Sequence, residues 1–252
     1  ITRPKNKVLF TSCGFYPLAE TQSVLMLENR KNGLERFYSA FLPEFPENHG
    51  NTLTGGVGCI VMNCNPFTKG HLALITYAAS RCSLLHIFVV EEDRSLFPFE
   101  VRMRLVKEGT AHLPNVKVHP SGPYMISSAT FPTYFLKKGE DAARIQSELD
   151  ITLFASRIAP LFHITKRFAG EEPLDPVTRD YNEAMIRLLP QYSISFIKIA
   201  RTTAEAPEGK PEVISASRVR KLLAETGVTE EVLQLVPPCT AQYLKNEFGA
   251  RP

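Results

Sequence analysis

Apolar positions along the chain follow two rhythms. Short continuous runs, such as VGCIVM at 57–62 and LLHIFVV at 84–90, read as strands buried on both faces. Between them, apolar residues recur every three or four positions. The stretch 70–81 sets Leu72, Ile75 and Ala79, with Cys82 just beyond, on one helical face. The pattern predicts a helix over 97–113 with Pro98 near its first turn, and a third strand at 115–122. It then predicts a helix over 131–149, a short strand at 151–155 and further strands at 162–170 and 192–201. A helix with Val177, Tyr181, Ala184 and Leu188 on one stripe separates the last two. Such alternation predicts an α/β fold, a Rossmann-like doubly wound parallel sheet covered on both faces.

A smaller α+β unit precedes this pattern. Strands are expected at 7–15 and 23–28, and a short amphipathic helix at 33–42. The Pro-, Gly- and Asn-rich stretch PEFPENHGNTLTGG reads as a linker, which puts a boundary near residue 54 and divides the chain into 1–54 and 55–252. The opening ITRPKNK has neither an initiator Met nor a signal-peptide core, and reads as the continuation of something longer.

Composition narrows the classes of function. Of 252 residues, 44% are apolar and 22% charged, and the net charge of +3 is scattered rather than blocked. That argues against nucleic-acid binding through a basic patch. No apolar run reaches the roughly 18 residues of a membrane span. Five cysteines, without a C-x-x-C pair, suit a reduced protein of the cytoplasm. The histidines at 49, 86, 112, 119 and 163 show no metal-ligand spacing, and His86 and His163 fall within apolar strands.

Two motifs carry candidate chemistry. NCNPFTKGH, residues 63–71, stands where a buried strand hands over to a helix, the ligand edge of an open parallel sheet. Gly70 permits close approach of backbone and ligand, and the helix start offers N–H groups to an anion. Thr68 and His71 bring side-chain donors to the same place. A capped turn without a ligand would need no more than these residues. The second motif, VISASRVRKLL at 213–223, opens an amphipathic helix. Ser215 and Ser217 suit its N-terminus, and Arg220 rises from the same face as Ser217, able to grip a phosphate. A plain Ser-capped helix is the alternative for this stretch.

Together, Thr68-Lys69-Gly70-His71 and Ile214-Ser215-Ala216-Ser217-Arg218-Val219-Arg220 resemble the paired signatures of the nucleotidyltransferase superfamily. The usual Asp before the first signature is Asn65 here, and Ala216 and Ser217 replace a Ser and a Thr. The wider set IVMNCNPFTKGH, VVEEDRSLFPF, ATFPTYFLK, RFAGEEPLDPVTRDYN and ISASRVRKLL is similar to the citrate (pro-3S)-lyase ligase family over nearly all of residues 56–250. In that family an acetyltransferase-like region comes first, and residues 1–54 look like its tail.

The resemblance implies an acid–thiol ligase. Acetate would attack ATP to give acetyl-adenylate and pyrophosphate, with Mg²⁺ bridging triphosphate oxygens. The acetyl group would then pass to the thiol of a CoA-like arm on the acyl carrier subunit of citrate lyase, releasing AMP. By the same resemblance, His71, Thr68 and Arg220 carry catalysis, while Asn63, Asn65, Lys69, Gly70, Ser215 and Ser217 bind the nucleotide. No protein metal ligands are implied. Glu91, Glu92, Asp93, Arg102, Arg104 and the stretch 170–176 are secondary candidates, with surface pairing the simpler account of the two arginines. Two other readings stay open: an adenylyl- or cytidylyltransferase acting on a phosphorylated small molecule, and a nucleotide-binding module without chemistry.

Overall fold

The structure, a computed structural model, describes residues 1–42, 55–91, 95–125, 131–136, 139–171, 176–200, 203–205 and 211–249. The chain opens with α1 (Lys7–Ser12), β1 (Tyr16–Glu20), β2 (Leu25–Glu28) and α2 (Gly33–Ser39). Then come β3 (Val57–Met62), α3 (Lys69–Ala79), β4 (Leu84–Val89), α4 (Phe99–Thr110) and β5 (Val116–Pro120). The order continues with α5 (Ala142–Leu153), α6 (Ala159–Leu161), β6 (Ile164–Gly170), α7 (Pro176–Leu188) and β7 (Ser195–Ile199). It ends with β8 (Thr203–Glu205), β9 (Pro211–Val213), α8 (Ala216–Thr226), α9 (Glu230–Gln234) and α10 (Pro238–Phe248). The chain forms two compact units, one of Ile1–Val57, Ser121–Arg167 and Glu172–Ile197, the other of Gly58–Pro120, Phe168–Glu171 and Lys198–Pro252. The expected linker at 43–54 lies outside the described residues.

The second unit contains the ligand edge of a five-stranded parallel sheet of order β5-β4-β3-β6-β7. β4 and β5 pair in parallel from Leu85 opposite Val116 to Val89 opposite Pro120. The order runs outward from β3 in one direction, then returns to start again with β6, as in a doubly wound sheet. At Gly58 the interior is tight: a Cβ there would lie 2.4 Å from Cys82 Sγ. After the sheet, α8, α9 and α10 gather Val219, Val232, Leu235, Val236 and Leu244 around Phe97 and Ile214. The sequence pattern announces α8; the β8–β9 hairpin, α9 and α10 emerge only in the structure.

In the first unit, β1 and β2 form an antiparallel hairpin with an irregularity between Pro17 and Ala19. Glu28, at the end of β2, accepts the Gly33 and Leu34 N–H groups, each at 3.0 Å, and so satisfies the start of α2. Two expected strands are helices instead. Residues 7–12 form α1, which leaves Val8 79% and Leu9 61% exposed. Residues 151–155 belong to the end of α5 and a following π-type turn, with Ile151, Leu153, Phe154 and Ala155 all buried. A short apolar run looks alike in either conformation, and a helix buried on every side loses its periodic signature. The helix expected over 131–149 starts only at Ala142, where Asp141 caps it by accepting the Arg144 N–H at 3.1 Å. His163 sits exposed in a left-handed turn (φ 53°) ahead of β6 rather than inside the strand.

Within the second unit, His86 on β4 and His119 on β5 are buried together, with Nδ1 of His86 2.9 Å from Nε2 of His119. Loss of hydration lowers His86 to about 3, helped by His119 and Lys117. It lowers His119 to about 4, helped by Lys107 and Lys117. An unfolded imidazole protonates near pH 6.5, whereas the fold holds both rings neutral. Stability conferred by the neutral pair is therefore complete above about pH 6.5 and declines as pH falls toward 4. Thermal midpoints of the native protein should fall between pH 7 and 4.5, and a double His86→Leu, His119→Leu variant should show a shallower fall. Equal slopes would remove this pair from the pH response.

Candidate active site

The first motif lies where β3 ends, beside the gap in strand order between β3 and β6 that forms the ligand crevice of such sheets. Past Met62 the chain turns through Cys64, which is left-handed (φ 54°), and through a cis Asn65–Pro66 bond. Thr68 then starts α3 as its extended N-cap residue. Cap and histidine hold each other. The Thr68 N–H donates to His71 Nδ1 at 3.1 Å, and the His71 N–H donates to Thr68 Oγ1 at 3.4 Å. This is a capping box with His in the place usually taken by Glu or Gln. Because Nδ1 accepts a main-chain N–H, the neutral ring carries its proton on Nε2. Phe67, fully buried, stacks on the same ring at 6.1 Å and 11°.

Most first-turn donors of α3 are already engaged. Lys69 N–H donates to Leu235 O at 3.0 Å and Leu72 N–H to Thr68 O at 3.1 Å. Among the described residues only the Gly70 N–H of that turn has no protein acceptor. The expected anion site thus narrows to this amide and the neighbouring imidazole. Gly70 itself answers a packing demand: a Cβ would stand 2.8 Å from Ile214 O, in the second motif.

The second motif opens α8. Ser215 caps it, its Oγ accepting the Arg218 N–H at 3.1 Å. Arg220 donates through Nη2 to Ser217 Oγ at 3.1 Å and through Nη1 to Asn65 O at 2.5 Å, which joins motifs 155 residues apart. Arg218 pairs with Glu231 at 2.9 Å.

Both asparagines spend their side-chain oxygens on the protein. Asn63 Oδ1 accepts from Arg102 Nη1 at 2.6 Å, and Asn65 Oδ1 accepts the Phe97 N–H at 3.1 Å. Lys69 is exposed. Arg102, for which surface pairing was the simpler expectation, is the largest fully buried side chain among the described residues. Its position had a legible signal, since Leu105 and Val106 follow it at helical spacing and α4 buries all three. Arg104 does lie at the surface, 3.9 Å from Glu108. Burial pushes the Cys64 thiol well above its ordinary range, with Arg102 pulling weakly the other way, so Cys64 is no thiolate at neutral pH. Glu91 is exposed; Glu92, Asp93 and residues 172–175 lie outside the described residues. Among the described residues, no three His, Cys, Asp or Glu side chains gather as a metal site.

Residues 57–244 match the citrate lyase ligase C-terminal domain. The chain belongs to the citrate lyase ligase family. It is 42% identical over 246 residues to the citrate (pro-3S)-lyase ligase of Escherichia coli K12, covering 97% of this chain and 68% of that protein. The Klebsiella pneumoniae protein of the same name is 40% identical over 248 residues, covering 96% of this chain and 69% of that one. A phosphopantetheine adenylyltransferase of Proteus mirabilis is 28% identical over 166 residues, 63% of this chain and 91% of that enzyme. Both motifs fall inside the matched family span.

Gly70→Ala tests the junction of the motifs. The added methyl meets a main-chain oxygen that cannot swing aside, and overpacking of this kind costs about 1–3 kcal/mol. A lower denaturant midpoint with an unchanged slope is the expected result; an unaltered midpoint would mean that Ile214 yields freely.

Proposed function

We propose that the protein is an AMP-forming acid–thiol ligase that acetylates the CoA-like prosthetic arm on the acyl carrier subunit of citrate lyase. The observation that carries the reading is the bond from Arg220 to Asn65 O, which holds the second motif's guanidinium beside the turn leading to His71. A triphosphate bound there meets donors from both motifs.

In the first step an acetate oxygen bonds to the α-phosphorus of ATP, the bond to the bridging oxygen breaks, and pyrophosphate leaves. Negative charge grows on the α-phosphate oxygens as this happens. His71 Nε2–H and the Gly70 amide supply hydrogen bonds to it, and Thr68 keeps the imidazole in the required tautomer. Arg220 uses two of its five N–H groups on Asn65 O and Ser217 Oγ, and offers the rest to the departing pyrophosphate. Ser215, Ser217, Asn63, Asn65 and Lys69 shape and charge the nucleotide site. In the second step the arm's thiol sulfur attacks the acetyl carbonyl, and AMP departs. Neither step needs a nucleophile from the enzyme, in keeping with a buried, protonated Cys64. Mg²⁺, when bound with ATP, would neutralise triphosphate charge and need few protein ligands. We assign the protein to the cytoplasm, where its five free cysteines stay reduced. No described helix is long and apolar enough to cross a membrane, and no role with nucleic acid is proposed.

A second reading, adenylyl transfer to a phosphorylated small molecule, draws on the similarity to phosphopantetheine adenylyltransferase. Exchange of labelled pyrophosphate into ATP separates the two. Exchange that depends on acetate supports the ligase, and exchange that depends on a phosphorylated acceptor supports the transferase. Within the ligase reading, His71→Ala should slow acetate-dependent exchange about 100-fold, the ~3 kcal/mol that one transition-state donor typically supplies. Arg220→Ala removes the donor to Asn65 O and should lower the thermal midpoint. Acetate-dependent exchange, read on the folded variant well below that midpoint, should still be weakened, and an unweakened rate would refute its contact with pyrophosphate. Near-normal turnover in a folded His71→Ala protein would refute the role given to that residue.

A further inference from the structure

Arg102 is fully buried, yet it stands on the helix after β4 and not in either motif. Its guanidinium meets carbonyl oxygens from three places in the second unit. Nη1 donates to Asn63 O at 2.7 Å, to Asn63 Oδ1 at 2.6 Å and to Val90 O at 2.8 Å, and Nε donates to Phe97 O at 2.9 Å. Phe97 in turn gives its N–H to Asn65 Oδ1, and Asn65 O receives Arg220. A continuous hydrogen-bonded path therefore runs from the buried cation to the arginine of the second motif. Between Asn63 and Asn65 lies Cys64, whose left-handed backbone is costly for a residue with a Cβ and persists only where its surroundings impose it.

We propose that Arg102 is a positioning residue: by gripping Asn63 and Phe97 it imposes the left-handed turn at Cys64, and so sets the places of Asn65, Arg220 and the start of α3. This deepens the ligase reading and rests on it for its kinetic consequences. A long, fully charged fork suits the task, because one planar group reaches several carbonyls at once, whereas a lysine ammonium on a thinner stem cannot cover the same set. Displacing reacting groups by about 1 Å costs on the order of 100-fold in rate.

The test pairs Arg102→Lys with Cys64→Gly. Arg102→Lys should lower the rate constant of acetate-dependent pyrophosphate exchange about 10- to 100-fold, with the ATP concentration for half-saturation changed less than about threefold. Amide hydrogen exchange of the peptide spanning 63–71 should accelerate more than in Val232→Ala, a control destabilised in the helical cluster. Cys64→Gly removes the penalty of the left-handed turn. Added to Arg102→Lys, it should therefore recover at least part of the rate and of the amide protection, although it empties a buried site. A merely structural Arg102 predicts the reverse, a double variant worse than either single one, and that result would overturn the proposal. If Arg102→Lys does not fold, Asn63→Ala removes the Oδ1 acceptor of Arg102 and should show the same pattern in weaker form, or the proposal falls. An unsubstituted protein that never exchanges pyrophosphate with acetate would sink the ligase reading alone, because amide protection at 63–71 still decides the role of Arg102.

Discussion

Strand ends at the ligand edge of a parallel sheet leave main-chain carbonyls that no neighbouring strand can satisfy, and a buried carbonyl needs a donor. In this protein two guanidinium groups meet much of that need. Arg102 takes the oxygens of Asn63, Val90 and Phe97, and Arg220 takes that of Asn65 from the second motif. The turn between β3 and α3 is thus held by cations rather than by a regular hydrogen-bond ladder. Its other features depend on that hold: the left-handed Cys64, the cap at Thr68, and the imidazole that the cap orients.

The same economy of groups underlies the phosphate chemistry proposed for the site. Thr68 serves both as helix cap and as the residue that sets the tautomer of His71. Gly70 lets Ile214 O approach, and its own amide has no acceptor among the described residues. What converges is a set of hydrogen-bond donors around a helix start, with a thiol nearby that burial keeps protonated. Donors of this kind stabilise charge that develops on a substrate; they do not attack it.

Much of this was legible in the residues. Continuous apolar runs marked β3 and β4, and three-to-four spacing marked α3, α7 and α8, because buried faces repeat with the geometry of each element. The two motifs were readable because Gly, His and Ser-capped Arg are restrictive choices at a strand-to-helix turn. Less legible were segments whose burial is uniform. The run at 151–155 is apolar on every side and carried no period to separate helix from strand. The run at 7–12 is apolar yet largely exposed, so its hydrophobicity says nothing of where it packs.

By itself the sequence determined the alternation of strands and helices, the positions of both signatures, and the family to which they point. These follow from local rules, in which each residue's size, polarity and backbone freedom act over a few neighbours. Only the tertiary structure decided that Arg220 bonds to the main chain of the first motif, that a side chain at Gly70 would press on Ile214 O, and that Arg102 is an interior cation. Each of those depends on partners from distant parts of the chain: Asn65 for Arg220, Ile214 for Gly70, Asn63 for Arg102. A charge or a missing Cβ has no meaning along the sequence until folding supplies the oxygen that it faces.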